Sequence, residues 1–296
     1  MQSGLESIEK FIILLIKIIT HPEKIINGVL TEISRMSMKK GKISLALLLS
    51  PKIRKRKLLK ELKKNQKEIK SNELSTFYGK RVVLIGPSYD NGVIEDFSAF
   101  DLVARIGYTG RNSIFKNDKD ICNVSFLANW HAKELAENIS KLKPELDGVT
   151  FYMRNDVTKI DKIRLLREFK CMDFSITEIN KIFGRVVPNF GVQIIYFLLS
   201  QNPKEILISN MDLNTSLLRP IYYATNKILI RRKNQAEHLQ ETIKNSLITH
   251  HNPFTNFSFF NVIKNLKVVK FSTKLDYLIA NGINEYKNII NGLYFK

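Results

Sequence analysis

The distribution of apolar positions divides the chain into two parts. Between residues 8 and 33, Phe11, Ile12, Leu15, Ile19, Ile26, Val29 and Ile33 recur on one face and predict an amphipathic helix. Its fully apolar run, 11–16, is cut by Lys17 and by His21-Pro22, well short of the ~20 residues a bilayer-spanning helix needs. From residue 81 the pattern changes to short continuous runs. Arg81-Val-Val-Leu-Ile85 is apolar and β-branched, and Gly86-Pro87-Ser88 stops it, the pattern of a buried parallel strand whose C-terminal end opens on a turn. Similar runs predict strands at 99–106, 121–127, 148–153, 205–209 and 267–271. Helical periodicity predicts helices at 131–142, 190–201 and 255–265, with amphipathic stretches at 159–169 and 174–184. This alternation predicts an α/β fold with a mostly parallel sheet.

Charge changes the picture mainly at the N-terminal side. The 296-residue chain has a net charge of +19, and residues 39–70 concentrate it, with Lys52-Ile-Arg-Lys-Arg-Lys57 followed by Lys60, Lys63, Lys64 and Lys67. Such a run predicts a basic helix facing a polyanion, either an anionic membrane surface or a nucleic acid. The domain boundary therefore falls near residue 75: a basic, helical, membrane-facing region at 1–75 and an α/β domain at 76–296. Residues 212–249 break the strand–helix rhythm at the end of a strand and predict a lid insertion.

Two cysteines, Cys122 and Cys171, make no disulfide framework or metal motif, and no basic n-region or cleavage site marks a secretory signal. A cytoplasmic protein, peripheral on the inner face of the membrane, is expected. There is no Walker motif and no GxGxxG, which excludes the standard P-loop and dinucleotide fingerprints. The turn after the first strand still suits a nucleotide: Gly86 allows close backbone approach, and Ser88, Asp90 and Asn91 offer short polar side chains for a ribose or phosphate.

In their order, these pieces resemble the sialyltransferase-like glycosyltransferases of families 29 and 42. The resemblance rests on Val82-Val-Leu-Ile-Gly-Pro-Ser88, on Phe100-Asp-Leu-Val-Ala-Arg-Ile106, on residues 190–209 with Phe190-Gly191 opening a helix and Lys-Glu-Ile-Leu-Ile-Ser209 forming a strand, and on His251 ahead of a helix and strand. It spans most of residues 80–272. Gly107 stands where the family has asparagine, Phe190 where it has Ser or Thr, and Asn210 where it has glycine.

The resemblance implies a Rossmann-like sheet and a metal-independent transferase that uses a CMP-sugar, sialic acid or Kdo in type, as donor substrate without a further cofactor. Gly86, Pro87, Ser88, Asp90, Arg105, Gly191 and Asp212 are the residues it implies for the nucleotide. His251 is the implied base for the acceptor hydroxyl, with His250 as its neighbour and rival, and Tyr222 and Tyr223 would bond the leaving phosphate. Histidine suits that role because its pKa of about 6.5 lies near neutrality. The partners expected are the nucleotide-sugar donor, a glycan or glycolipid acceptor and an anionic membrane, with no nucleic acid. Another activated donor, or a basic protein that binds nucleic acid or membrane without catalysis, are the competing readings.

Overall fold

A computed structural model describes residues 22–70, 75–87, 97–108, 122–175, 177–183, 186–211, 213, 215, 240–241, 243–245, 247–248 and 251–295. Its centre is a seven-stranded sheet in the order β5-β4-β3-β2-β1-β6-β7, parallel at every pairing. The strands are β1 (Arg81–Ile85), β2 (Leu102–Ile106), β3 (Val124–Leu127), β4 (Thr150–Arg154), β5 (Lys170–Phe174), β6 (Glu205–Ser209) and β7 (Val269–Phe271). The chain steps outward from β1 to β5, then returns to lay β6 against the other side of β1. Strand order reverses there. In α/β sheets the crevice outside the strand C-termini at such a reversal is where ligands bind.

Side chains alternate across the sheet. Val82, Leu84, Ala104, Ile106, Phe126 and Ile208 join the main core on one face, while Val83, Ile85 and Val103, then Leu127, Phe151 and Met153, fill smaller cores on the other. On the main face lies a helix, Phe190–Ser200, whose Val192, Ile194, Ile195, Leu198 and Leu199 are buried. Each buried aliphatic side chain contributes roughly 1.5–3 kcal/mol against about 1 for a cap, so packing rather than propensity holds this β-branched helix. The cap is nonetheless present, with Asn189 Oδ1 accepting from Val192 N at 2.9 Å.

The N-terminal helices are α1 (Pro22–Lys39), α2 (Ile43–Leu49) and α3 (Lys55–Lys70). Of the helix expected at 8–33, residues 8–21 lie outside the described residues. The basic helix expected at 39–70 is two helices. Gly41, at φ +69, turns the chain between α1 and α2, and Ser50-Pro51 stops α2, because proline lacks the N–H that would continue the ladder. Met38, Ile43, Ala46, Leu58 and Leu62 enter the main core, and Asn65 and Gln66 of α3 bond to Tyr196 Oη and the Leu199 carbonyl.

Further along come α4 (Asn129–Glu137), α5 (Ile139–Leu142), a 3-10 turn (Lys143–Leu146), α6 (Lys159–Glu168) and α7 (Thr177–Phe183), with the Phe190–Ser200 helix as α8. The helix expected at 131–142 is thus broken at Asn138, whose φ of −124 is not helical. After β6 come α9 (Pro253–Ile263) and, beyond β7, α10 (Thr273–Ala280) and α11 (Gly282–Tyr294). The second strand begins three residues later than expected, because Asp101 turns its carboxylate to the Arg81 N–H instead of extending the strand. The third and fourth strands and β7 also begin two or three residues late. The predicted lid falls mostly outside the described residues. Among the described residues no helix is long and apolar enough to cross a membrane.

Candidate functional site

At the strand reversal the backbone of β1 runs one residue past its end, Gly86 N donating to the Ser209 carbonyl at 2.8 Å. A Cβ on Gly86 would overlap the Asn210 carbonyl oxygen and lie 2.5 Å from Met211 Cγ, so only glycine lets the two strand ends close together. Asn210 turns away in the left-handed region, φ 54, with its Oδ1 accepting from Ser209 Oγ at 2.8 Å. Pro87 follows, half-buried. Ser88 and Asp90 lie outside the described residues.

The end of β2 is built differently. Arg105 is 3% exposed, with its guanidinium 4.9 Å from the Tyr108 ring centre, and the Tyr108 carbonyl accepts from Ser125 Oγ at 2.7 Å. Asp101 lies at the opposite end of the strand, its carboxylate accepting from the Arg81 N–H. Between Arg105 and Tyr108, Gly107 adopts φ +68, and a Cβ there would overlap His131 Nε2 and lie 2.5 Å from Cδ2. The position at which the resemblance calls for asparagine is therefore filled from outside by a histidine of α4.

His131 was not singled out in the sequence. It sits in the first turn of α4, directly after β3, where Nδ1 accepts from the Ala128 N–H at 3.2 Å. That bond places the ring proton on Nε2, toward Gly107. Burial, reinforced by the positive charge of Arg154, pushes its pKa down from 6.5 to about 3, so the ring is neutral at any physiological pH. Trp130 packs against it at a tilt of 31°, with ring centres 3.4 Å apart, and is itself 47% exposed. Arg154, at the end of β4, donates through Nε to Asp156 at 2.7 Å and through a second nitrogen to Gln193 Oε1 at 3.2 Å, and lies 5.3 Å from the Phe190 ring centre. The signal for these residues was positional: each stands at the C-terminal end of a strand or in the first turn of the helix that follows.

His251 reaches the same edge from the other side. It immediately precedes Asn252, whose Oδ1 caps α9 by accepting from Phe254 N and Thr255 N at 3.1 and 3.0 Å. Its Nδ1 lies 3.1 Å from the Val187 carbonyl oxygen. A carbonyl can only accept, so Nδ1 is the donor in this contact. The two edge histidines thus use Nδ1 in opposite senses, His131 as acceptor and His251 as donor. Asn189, the cap of α8, donates its N–H to Asn256 Oδ1 at 3.3 Å, tying the α8 and α9 N-termini together beside His251. Gly191, in the first turn of α8, makes only ordinary contacts; a Cβ there would lie 3.4 Å from Met211 Sδ and 3.5 Å from Ile106 Cδ1.

The structure thus gathers Gly86, Pro87, Arg105 and Gly191 at the C-terminal edge, with His251 at the paired caps of α8 and α9. His250, Tyr222, Tyr223 and Asp212 lie outside the described residues. Among the described residues no group of three or more His, Cys, Asp and Glu side chains could hold a metal ion. In comparisons with known proteins, no family model matches the sequence and no curated protein matches it.

Proposed function

We propose that the chain is a glycosyltransferase that moves an acidic sugar, sialic acid or Kdo in type, from a CMP-activated donor to a hydroxyl of a glycan or glycolipid acceptor. The observation that carries this reading is the bond from His251 Nδ1 to the Val187 carbonyl. It supports His251 as general base, because a carbonyl held at Nδ1 orients the ring, and a neutral imidazole so oriented takes a proton on Nε2. His131 is unsuited to that role: it is 1% exposed, carries its proton on Nε2, and with a pKa near 3 would hold an abstracted proton weakly.

In the proposed step the acceptor O–H gives its proton to His251 Nε2 as its oxygen bonds to the anomeric carbon. The bond from that carbon to the donor phosphate oxygen breaks, and CMP leaves with the electron pair. Charge growing on the phosphate is favoured by the positive ends of α8 and α9. Cytosine and ribose would lie along Gly86–Pro87 and the end of β2, where the strand order reverses.

The test is CMP release from donor in the presence of acceptor. His251→Ala lowers turnover by about 10²–10⁴-fold, the usual contribution of a positioned base, with CMP affinity unchanged. Full turnover in a variant lacking both His250 and His251 excludes histidine from the mechanism.

A further inference from the structure

The α1–α2 hairpin turns an apolar face outward. Ile26, Val29, Ile33 and Met36 follow one another at steps of three and four residues along α1, and Leu45 and Leu48 of the packed α2 are also turned out; all six are between 41% and 74% exposed. Other residues of the same helices are buried: Ser34, Ser37 and Met38 of α1 and Ile43 and Ala46 of α2. At the turn joining the helices, Lys39, Lys40 and Lys42 are exposed, and the next helix, α3, turns out Lys55, Arg56, Lys57, Lys60, Lys63 and Lys64.

We propose that this face is a membrane-docking surface that lies on an anionic bilayer, and that the acceptor of the transferase is a glycan carried on a lipid of that bilayer. An apolar stripe with cations at its end, and with Glu32 beside it paired to Arg35, fits the boundary between acyl chains and anionic head groups, and neither component alone gives stable attachment. A second copy of the chain is a poor occupant, because a two-fold contact through this face would bring together two copies that each carry +19. Nucleic acid would use the cations and leave the stripe in water.

The docking face is joined to the site through one side chain. Asn252, which caps α9 beside His251, donates from Nδ2 to Ser34 Oγ of α1 at 3.1 Å and to Ser50 Oγ at the end of α2 at 3.0 Å. The hairpin is one helix thick, ~10 Å, between the serines that Asn252 holds and its outward face. This acceptor assignment rests on the transferase reading; the docking surface does not.

The test uses the full chain with vesicles of phosphatidylcholine containing about one-third phosphatidylglycerol, compared with pure phosphatidylcholine. The double variant Val29→Asp/Leu48→Asp weakens co-sedimentation with the anionic vesicles by about tenfold or more, since it removes inserted apolar area and adds negative charge. Tyr277→Asp, at an exposed apolar residue of α10, leaves it unchanged. Three results overturn the surface: undiminished binding of the double variant, a lowered unfolding temperature that shows the stripe covered by the chain itself, or a lipid-free dimer that the double variant dissociates. For the acceptor, the double variant slows transfer to a lipid-linked glycan and not to the same glycan free in water; equal slowing of both overturns it. Vesicle binding without transfer to either glycan removes the transferase reading and the acceptor with it, and leaves the docking surface standing.

Discussion

Gly107 and His131 occupy a single space: the side chain that glycine lacks is replaced by the imidazole of the helix after the next strand, and a Cβ at Gly107 would overlap His131 Nε2. The contact joins the end of β2 to the first turn of α4, and with φ +68 at Gly107 it makes two demands that only glycine meets together. The consequence is a coupled pair. Gly107→Ala in the wild-type background destabilises by about 3 kcal/mol or more through overlap and left-handed strain combined. In a His131→Ala background the overlap disappears and the same substitution costs only about 1–2 kcal/mol. Urea unfolding of the four variants gives the coupling energy. As a control, Gly191→Ala is near neutral, because its Cβ meets only ordinary contacts in a helix that prefers alanine.

His131 also makes the fold acid-sensitive. Its folded pKa is lowered to about 3 from 6.5, chiefly by burial, so below pH 6.5 the unfolded chain takes up a proton that the folded chain refuses. The stability associated with the neutral ring is complete above about pH 6.5 and is lost as pH falls from there toward 3. The slope from this one group approaches 1.4 kcal/mol per pH unit across the window. His131→Gln removes it. Unfolding free energies measured at pH 6.5 and 4.5 fall less in His131→Gln than in wild type, by about 2–3 kcal/mol. Parallel pH profiles for the two proteins would show that His131 is not buried neutral.

Asn252 separates capping from hairpin docking by its two ends. Oδ1 caps α9 and Nδ2 holds Ser34 and Ser50. Asn252→Asp keeps the cap and turns both donor bonds into repulsions between acceptors unless the serines reorient, costing about 1–2 kcal/mol. Asn252→Ala loses both ends and costs about 2–4 kcal/mol. Amide exchange locates the damage: in Asn252→Asp it rises in α1 and α2 with the first turn of α9 protected, and in Asn252→Ala it rises in all three.

The sequence showed those parts of the fold whose burial is continuous. β1, β6 and α8 lie in the centre of the molecule, so their apolar runs are nearly continuous, with Gln193 the one polar residue inside α8, and their ends were placed to within one residue. β5 was missed for the opposite reason. It is an edge strand paired only to β4, and Lys170, Met172 and Asp173 point out to water, which leaves no run to read. α11 buries Tyr286, Ile290 and Tyr294 at steps of four, a regular pattern diluted by the asparagines between them. At the site, Gly86 was legible because a glycine that ends a buried strand has a backbone reason to be there. His131 was not, because its importance arises from Gly107, and nothing local to either residue states that they meet.

The central claim is that the C-terminal edge of the sheet, where β1, β2 and the caps of α8 and α9 converge, binds CMP. Trp130, the single tryptophan of the chain, stands half-exposed at that edge against His131, so its emission reports binding there. Titration of the full chain with nucleotides, followed by Trp130 fluorescence and by the unfolding temperature, tests the claim directly. CMP and CDP change the emission saturably and raise the unfolding temperature, since a ligand bound only to the folded state stabilises it by mass action, while UDP, GDP and NAD do neither at the same concentration. An equal response to all five nucleotides, or a response to none, contradicts it.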